Sequence, residues 1–220
     1  MIDEKSLSAD IVLFDMDGTL LDATAVIERI WTTWAGRHRV DAARLLLASR
    51  GQRVAETVRA FAPPGADLQA EEDWLSRQAH VEPMSPQATP GAAALLQSIP
   101  PSRWAIVTSA ERRLAVKWLA GAGLPVPGVL ITAADVTVGK PHPAGYRLAA
   151  QRLGGDIGQA VVFEDSSVGV EAGRAAGANV VGIANPALAD SQQIAFWMPD
   201  FRALRVDVSA DHRITLRYRP

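Results

Sequence analysis

Residues 11–22, IVLFDMDGTLLD, run four apolar side chains into two acids one residue apart, Asp15 and Asp17, and turn apolar again after Gly18 and Thr19. Four consecutive apolar residues read as a strand covered on both faces. An acid pair beside a buried strand is costly unless a cation shares it. The stretch therefore predicts both a sheet and a charged site at its edge.

Downstream, TAVIERIWTTWAGRH carries Val26, Ile27, Ile30, Trp31 and Trp34 at helical spacing, and VAETVRAFA and LQAEEDWLSRQAH keep the helical period. Nothing between Ala23 and Ala88 reads as a strand. From Pro90 helices and strands alternate: GAAALLQSI, WAIVT, ERRLAVKWLAGAG, GVLIT, PAGYRLAAQRLGG, AVVFED, SVGVEAGRAAGA, NVVGIA. Such alternation predicts an α/β fold, a Rossmann-like parallel sheet with crossover helices. The expected organisation is a discontinuous core, residues 1–22 and 89–220, interrupted by a helical cap over residues 23–88. The proline-dense EPMSPQATPG has the character of a hinge. RVDVSADHRITLRYRP, residues 205–220, alternates as a hairpin does.

Composition narrows the partners. With 220 residues, 48% of them hydrophobic, there is ample material for a buried core. A net charge of -2 and the lack of a polybasic run argue against nucleic acid. No apolar stretch reaches the ~20 residues needed to span a bilayer, and MIDEKSLSAD is acidic and polar where a leader would be basic and then apolar, so a cytoplasmic protein with no membrane partner is expected. There is no Cys, which leaves oxygen ligands or the four His for any metal. Only three of the 22 basic residues are lysines, Lys5, Lys117 and Lys140.

Ligands of open α/β sheets gather beyond the carboxyl ends of the strands. Four such places carry chemistry here: Asp15, Asp17 and Thr19; Thr108 and Ser109; Glu164, Asp165 and Ser166; and Lys140 in TVGKPHP. Any one of them alone reads equally well as a turn or N-cap residue. Together they place several carboxylates, a hydroxyl and a lysine at one sheet edge.

DMDGT, VTSA, GKPHP and FEDSSVG, in this order, resemble the four motifs of the haloacid dehalogenase superfamily, with the cap between the first and the second. The resemblance runs from Ile11 to Asn185. Within the superfamily, WAIVTSAERRLAVKWL, ITAADVTVGKPHP and VVFEDSSVGVEAGRAAGANVVGI are similar to the glycerol-3-phosphatase and sugar-phosphatase branch. It implies a Mg²⁺-dependent phosphatase that acts on a small phosphate monoester through an aspartyl-phosphate on Asp15. Asp15 is expected to be ionised at pH 7, so that it needs no activating base to attack phosphorus. The implied metal ligands are Asp15, the backbone carbonyl of Asp17, and Asp165, with Glu164 touching the ion directly or through another ligand. Thr108 would hydrogen-bond the transferring phosphoryl group, with Ser109 beside it on the substrate, and Lys140 would offset its charge. Four carboxylates and a phosphate dianion against Mg²⁺ and one Lys sum to about -3, which favours a proton on one carboxyl group. By resemblance Asp17 holds it, protonating the leaving oxygen and later deprotonating water. The cap segment SRGQRVAETVRAFAP resembles the branch's specificity segment, which makes Gly51 and Arg53 substrate contacts.

The same residues weigh against neighbouring activities. A dehalogenase of this superfamily lacks the second acid of the first motif, whereas Asp17 is present. A phosphonatase needs a cap lysine, and none lies between Ala23 and Ala88. That absence also counts against a β-phosphoglucomutase-like phosphotransferase, which stands as the alternative enzyme. A silent scaffold that binds a phosphorylated ligand or a protein partner without turnover is the alternative of another class. Trp31, Trp34 and Trp74 read as cap core, His142 as a turn residue, and Gly169, Gly173 and Gly177 as helix-packing positions. A monomer is expected, with a dimer as the alternative.

Overall fold

The computed structural model describes residues 4–82, 86–210 and 212–220. Its main sheet has six parallel strands in the order Leu130–Ile131, Trp104–Val107, Ile11–Phe14, Ala160–Glu164, Asn179–Ile183, Trp197–Met198. Ile11–Phe14 is central: Val12 pairs with Trp104 on one side and with Val161 on the other. The strand order reverses here, which puts the crevice of the sheet directly beyond Phe14.

Successive side chains of a strand face opposite sides, and both sides are filled. Val12 and Phe14 join Ile106, Phe163, Leu119 and Trp118 in one core, while Ile11 and Leu13 join Val107, Val162, Tyr146 and Val170 in the other. Phe14 and Phe163 stack with centroids 5.2 Å apart. Helices Ala144–Leu153 and Ser167–Ala176 cover the second face, and Ala92–Ser98 and Arg112–Gly121 the first.

The inserted block is helical, as the periodicity predicts: Thr24–His38, Ala42–Ser49, Val54–Phe61 and Leu68–Val81. Asp41 and Asp67 start the second and fourth of these by accepting from Arg44 N and Ala70 N, so each N-terminal turn has a donor satisfied. Trp34 is fully buried, stands edge to face with Trp31 at 5.7 Å, and donates from Nε1 to Glu71 Oε2 at 2.9 Å. Both tryptophans sit in the core of the insert, and Trp74 packs against it from a partly buried position.

Three features differ from the sequence expectation. Ala42–Ser49 is a helix that the periodicity does not single out, because Leu45, Leu46 and Leu47 are contiguous and only Leu45 is fully buried. Leu21–Asp22 and Gln87–Ala88 pair as an antiparallel ribbon at the base of the insert, too short to leave an alternating pattern in the sequence. Lys5–Ala9 forms a three-stranded antiparallel sheet with the expected hairpin, Leu204–Val208 and Ile214–Tyr218. Residues 83–85 of the expected hinge lie outside the described residues. No helix among the described residues is long and apolar enough to cross a membrane.

Candidate active site

Asp15 follows Phe14 directly and is held at the sheet edge by its backbone N, which donates to Phe163 O at 3.0 Å. The chain then folds around one carbonyl: Met16 O accepts from Thr19, Leu20 and Leu21 N, and Gly18 N donates to Leu21 O at 2.7 Å. This turn leaves Asp17 facing the crevice. Gly18 has a φ of +87°, and a Cβ there would overlap the Asp165 carboxylate.

The lysine of TVGKPHP reaches the same place, across a cis Lys140–Pro141 peptide. Lys140 Nζ donates to Asp15 Oδ1 at 2.5 Å and to Glu164 Oε1 at 2.6 Å. Glu164 is 0% exposed, and its remaining capacity is occupied by protein: Tyr146 OH donates to Oε1 at 2.5 Å, and Ser166 Oγ to Oε2 at 3.2 Å. Glu164 thus fixes the lysine. Gly169 serves it in turn, since a Cβ there would overlap the Glu164 carboxylate. Gly173 packs against Val180 and Val162, and Gly177 ends the helix. His142 is an exposed turn residue whose Nδ1 accepts from Ala144 N at 3.3 Å.

The electrostatics follow from burial. Burial pushes the Asp15 carboxyl up; Lys140 opposes this, the Glu164 charge adds to it, and the result is about 7. Asp17 is raised to about 8 by burial and by the Asp15 charge, so at neutral pH it holds a proton in this arrangement. Asp165 is raised as well, by burial and then by Asp15 and Glu164. Burial alone would lower the Lys140 ammonium, but the charges of Asp15 and Glu164 carry it above its usual range. One ammonium does not balance this group of acids.

A cation would. Ligand atoms of Asp15, Glu164 and Asp165 lie within 4.8 Å of one another, and all are hard oxygens. Asp17 Oδ1 is buried without a hydrogen-bond partner among the described residues. Asp165 Oδ1 accepts from Thr19 Oγ1 over a long 3.5 Å. Uncommitted carboxylate oxygens at a net-negative site suit a small divalent cation such as Mg²⁺.

The acids open on a cavity of about 720 Å³ between core and insert. Asp15, Asp17, Thr108, Ser109, Asp165 and Gly51 all line it. Arg53 does not: its guanidinium is bound to Glu56 and to two core carbonyls. The sequence reading overlooked three other contributors. Arg50 and Gln52 reach the cavity from the insert, and Asn185 both lines it and donates from Nδ2 to Asp165 O at 2.9 Å. Asn185 stands just after the apolar run of Asn179–Ile183, so the strand-end rule would have found it.

The sequence matches the haloacid dehalogenase-like hydrolase family over residues 9–177. The chain belongs to this family. As such a hydrolase it is 40% identical to hexitol phosphatase A of Escherichia coli, over 80% of this chain and 83% of that protein. It is 37% identical to 2-deoxyglucose-6-phosphate phosphatase 1 of Saccharomyces cerevisiae, over 80% of each. A solved HAD family hydrolase from Deinococcus radiodurans, with bound phosphate and sodium, superposes with a TM-score of 0.57 at 32% identity, covering 80% of each chain.

Proposed function

We propose that this hydrolase is a Mg²⁺-dependent phosphatase of small sugar or polyol phosphate monoesters. The observation that carries the reading is that Asp15, Asp17 and Asp165 line one cavity between core and insert, with Lys140 bonded to Asp15 from behind. Similarity to phosphatases of a hexitol phosphate and a deoxysugar phosphate supports the substrate class. Asp15 and Asp165, with the backbone carbonyl of Asp17 and with Glu164 adjoining, would hold Mg²⁺. When bound, the ion offsets the repulsion between carboxylates and the phosphate dianion.

The residues divide the work. An Asp15 oxygen attacks phosphorus, the bond to the leaving oxygen breaks, and Asp17 gives that oxygen its proton. Asp17 then takes a proton from water, which attacks the aspartyl-phosphate, releasing inorganic phosphate and restoring Asp15. Thr108 and Lys140 stabilise the phosphoryl group in transit. Residues 23–88 act as the cap that closes over the leaving group, with Gly51 and Ser109 facing each other across the seam. The site is complete within one chain, which favours a monomer. A cytoplasmic location belongs to the same reading, because phosphorylated sugars are retained by their charge. The test is phosphate release from a panel of hexitol, deoxysugar, triose and nucleoside monophosphates with Mg²⁺ and with excess chelator. Release that is unchanged by chelator, or absent from every sugar and polyol phosphate, refutes the reading.

A further inference from the structure

The segment Gly51–Glu56 spans the link after Ala42–Ser49 and the first turn of Val54–Phe61, and it is bonded to two loops of the core. Ser109 Oγ, next to Thr108, donates to Gly51 O at 2.8 Å. The Gln52 amide, turned so that its nitrogen faces two acceptors, donates to Lys140 O at 3.0 Å and to Glu56 Oε2 at 2.9 Å. Arg53 Nη1 donates to Val136 O and Nη2 to Thr137 O, each at 3.2 Å. Gly139 N donates to Glu56 Oε1 at 3.3 Å. Arg53 and Glu56 are themselves paired, with Nε to Oε1 at 2.9 Å, and their side chains are 17% and 23% exposed. Gly139 permits the approach, since a Cβ there would meet Arg53 Nε at 2.7 Å and the Glu56 carboxylate at 3.0 Å.

The core segment so gripped, Val136–Lys140, has no regular structure of its own; it runs from the short helix Ala133–Asp135 to the turn before Ala144–Leu153. It carries Lys140. Four of the five Arg53 N–H donors are thus taken by a carboxylate and two carbonyls, which leaves the fork little to offer a substrate. We propose that Glu56 is a positioning residue: with Arg53 and Gln52 it clasps the Val136–Lys140 loop, so that the lysine is set against Asp15 while the insert lies on the core. Lifting the insert removes these bonds from the loop together. Phosphoryl transfer is then gated by closure whatever the leaving group is. This inference rests on the phosphatase reading and adds the coupling between insert and lysine.

The experiment compares Glu56→Ala, Glu56→Gln and Arg53→Lys with the unaltered chain. It reads phosphoenzyme formation and steady-state turnover with p-nitrophenyl phosphate and with a hexitol phosphate, and amide hydrogen exchange over residues 136–140. Glu56→Ala is expected to lower kcat about tenfold, as loss of a charge-assisted contact would. The factor is expected to be the same for both substrates, with KM unchanged and faster exchange in the loop. Glu56→Gln keeps an acceptor for Gly139 N and is expected to recover part of the loss. If Glu56→Ala fails to fold, Arg53→Lys, which keeps the charge but not the two-carbonyl fork, carries the same expectation. A loss confined to the hexitol phosphate or to KM would make these residues substrate readers and overturn the proposal. So would folded variants with unchanged kcat and exchange. An unaltered chain that forms no phosphoenzyme removes the phosphatase reading and the proposal with it, whereas an active chain with indifferent variants removes the clasp alone.

Discussion

Glu164 and Lys140 form a buried ion pair, Oε1 to Nζ at 2.6 Å, and Tyr146 and Ser166 complete the hydrogen bonding of the carboxylate. The same ammonium donates to Asp15 Oδ1 at 2.5 Å, so the pair brings it within reach of the acid. Removing one member of such a pair leaves the other uncompensated, at about 3–5 kcal/mol. Glu164→Leu is therefore expected to lower the thermal midpoint sharply. Tyr146→Phe, which takes away one neutral donor, should cost about 1 kcal/mol. Equal midpoints for the two variants would show that Glu164 does not hold the lysine.

The two acids after the first core strand have separable duties. Asp15→Asn is expected to abolish phosphoenzyme formation with every substrate. Asp17→Asn keeps the nucleophile and removes the proton, so the loss should be greatest for poor alkoxide leaving groups and smaller for an aryl phosphate. Rapid-quench labelling with both substrate types measures this. Matching losses on the two types would refute the division of roles.

Gly51 sits at the seam with a φ of +73°, and a Cβ there would meet Ser166 Oγ at 2.6 Å and Val168 Cγ2 at 2.7 Å. Gly51→Ala brings backbone strain and a steric clash together. The expected cost is about 1–3 kcal/mol in chemical denaturation, with at least a tenfold fall in kcat/KM as the insert is pushed off the core. An alanine accepted without either change would mean that the seam is looser than these distances.

Asp135 supplies a dependence on pH that lies away from the acid cluster. Burial raises its carboxyl, but hydrogen bonds from Thr132 and Arg152 and the charge of Arg112 bring it down to about 2, against an ordinary 3.8. A depressed folded pKa stabilises the protein above pH 4, and that stability is lost as the pH falls toward 2. Solvent reaches one edge of the group, so after screening it is worth on the order of 1 kcal/mol. Asp135→Asn should be less stable than the unaltered protein at pH 6, and the gap should narrow between pH 4 and pH 2. Unfolding curves that keep a constant gap over that range would exclude the linkage.

What the sequence disclosed depends on which interactions are local. Strands such as Ile11–Phe14 and Ala160–Glu164 are legible because both faces are covered and every residue up to the terminal Glu164 is apolar. Trp197–Met198 has only two paired residues and leaves no pattern. The acids at strand ends are legible by position alone, and Asn185 falls under the same rule. Tyr146 does not, since its bond to Glu164 depends on how the helix Ala144–Leu153 is rotated against the sheet. Arg53 shows the converse. Its partner Glu56 stands three residues on, at the spacing that pairs charges on a helix, so a strictly local reading would have engaged the arginine before any substrate did.

The position of the insert also sets an order of assembly. Thr24–His38 through Leu68–Val81 leave the ribosome before either neighbour of Ile11–Phe14 does, and these helices pack on one another in sequence. The insert can gain its core while Val12, Leu13 and Phe14 are still unpaired. Their first neighbour arrives with Trp104–Val107 and their second only with Ala160–Glu164. At about 5–20 residues per second the nascent chain carries this bare apolar strand for on the order of ten seconds, an interval in which a chaperone can bind it. Asp165 and Glu164 reach Asp15 only at the close of that interval, so a truncated translation product ending before Ala160 contains the nucleophile and the lysine but no assembled acid cluster.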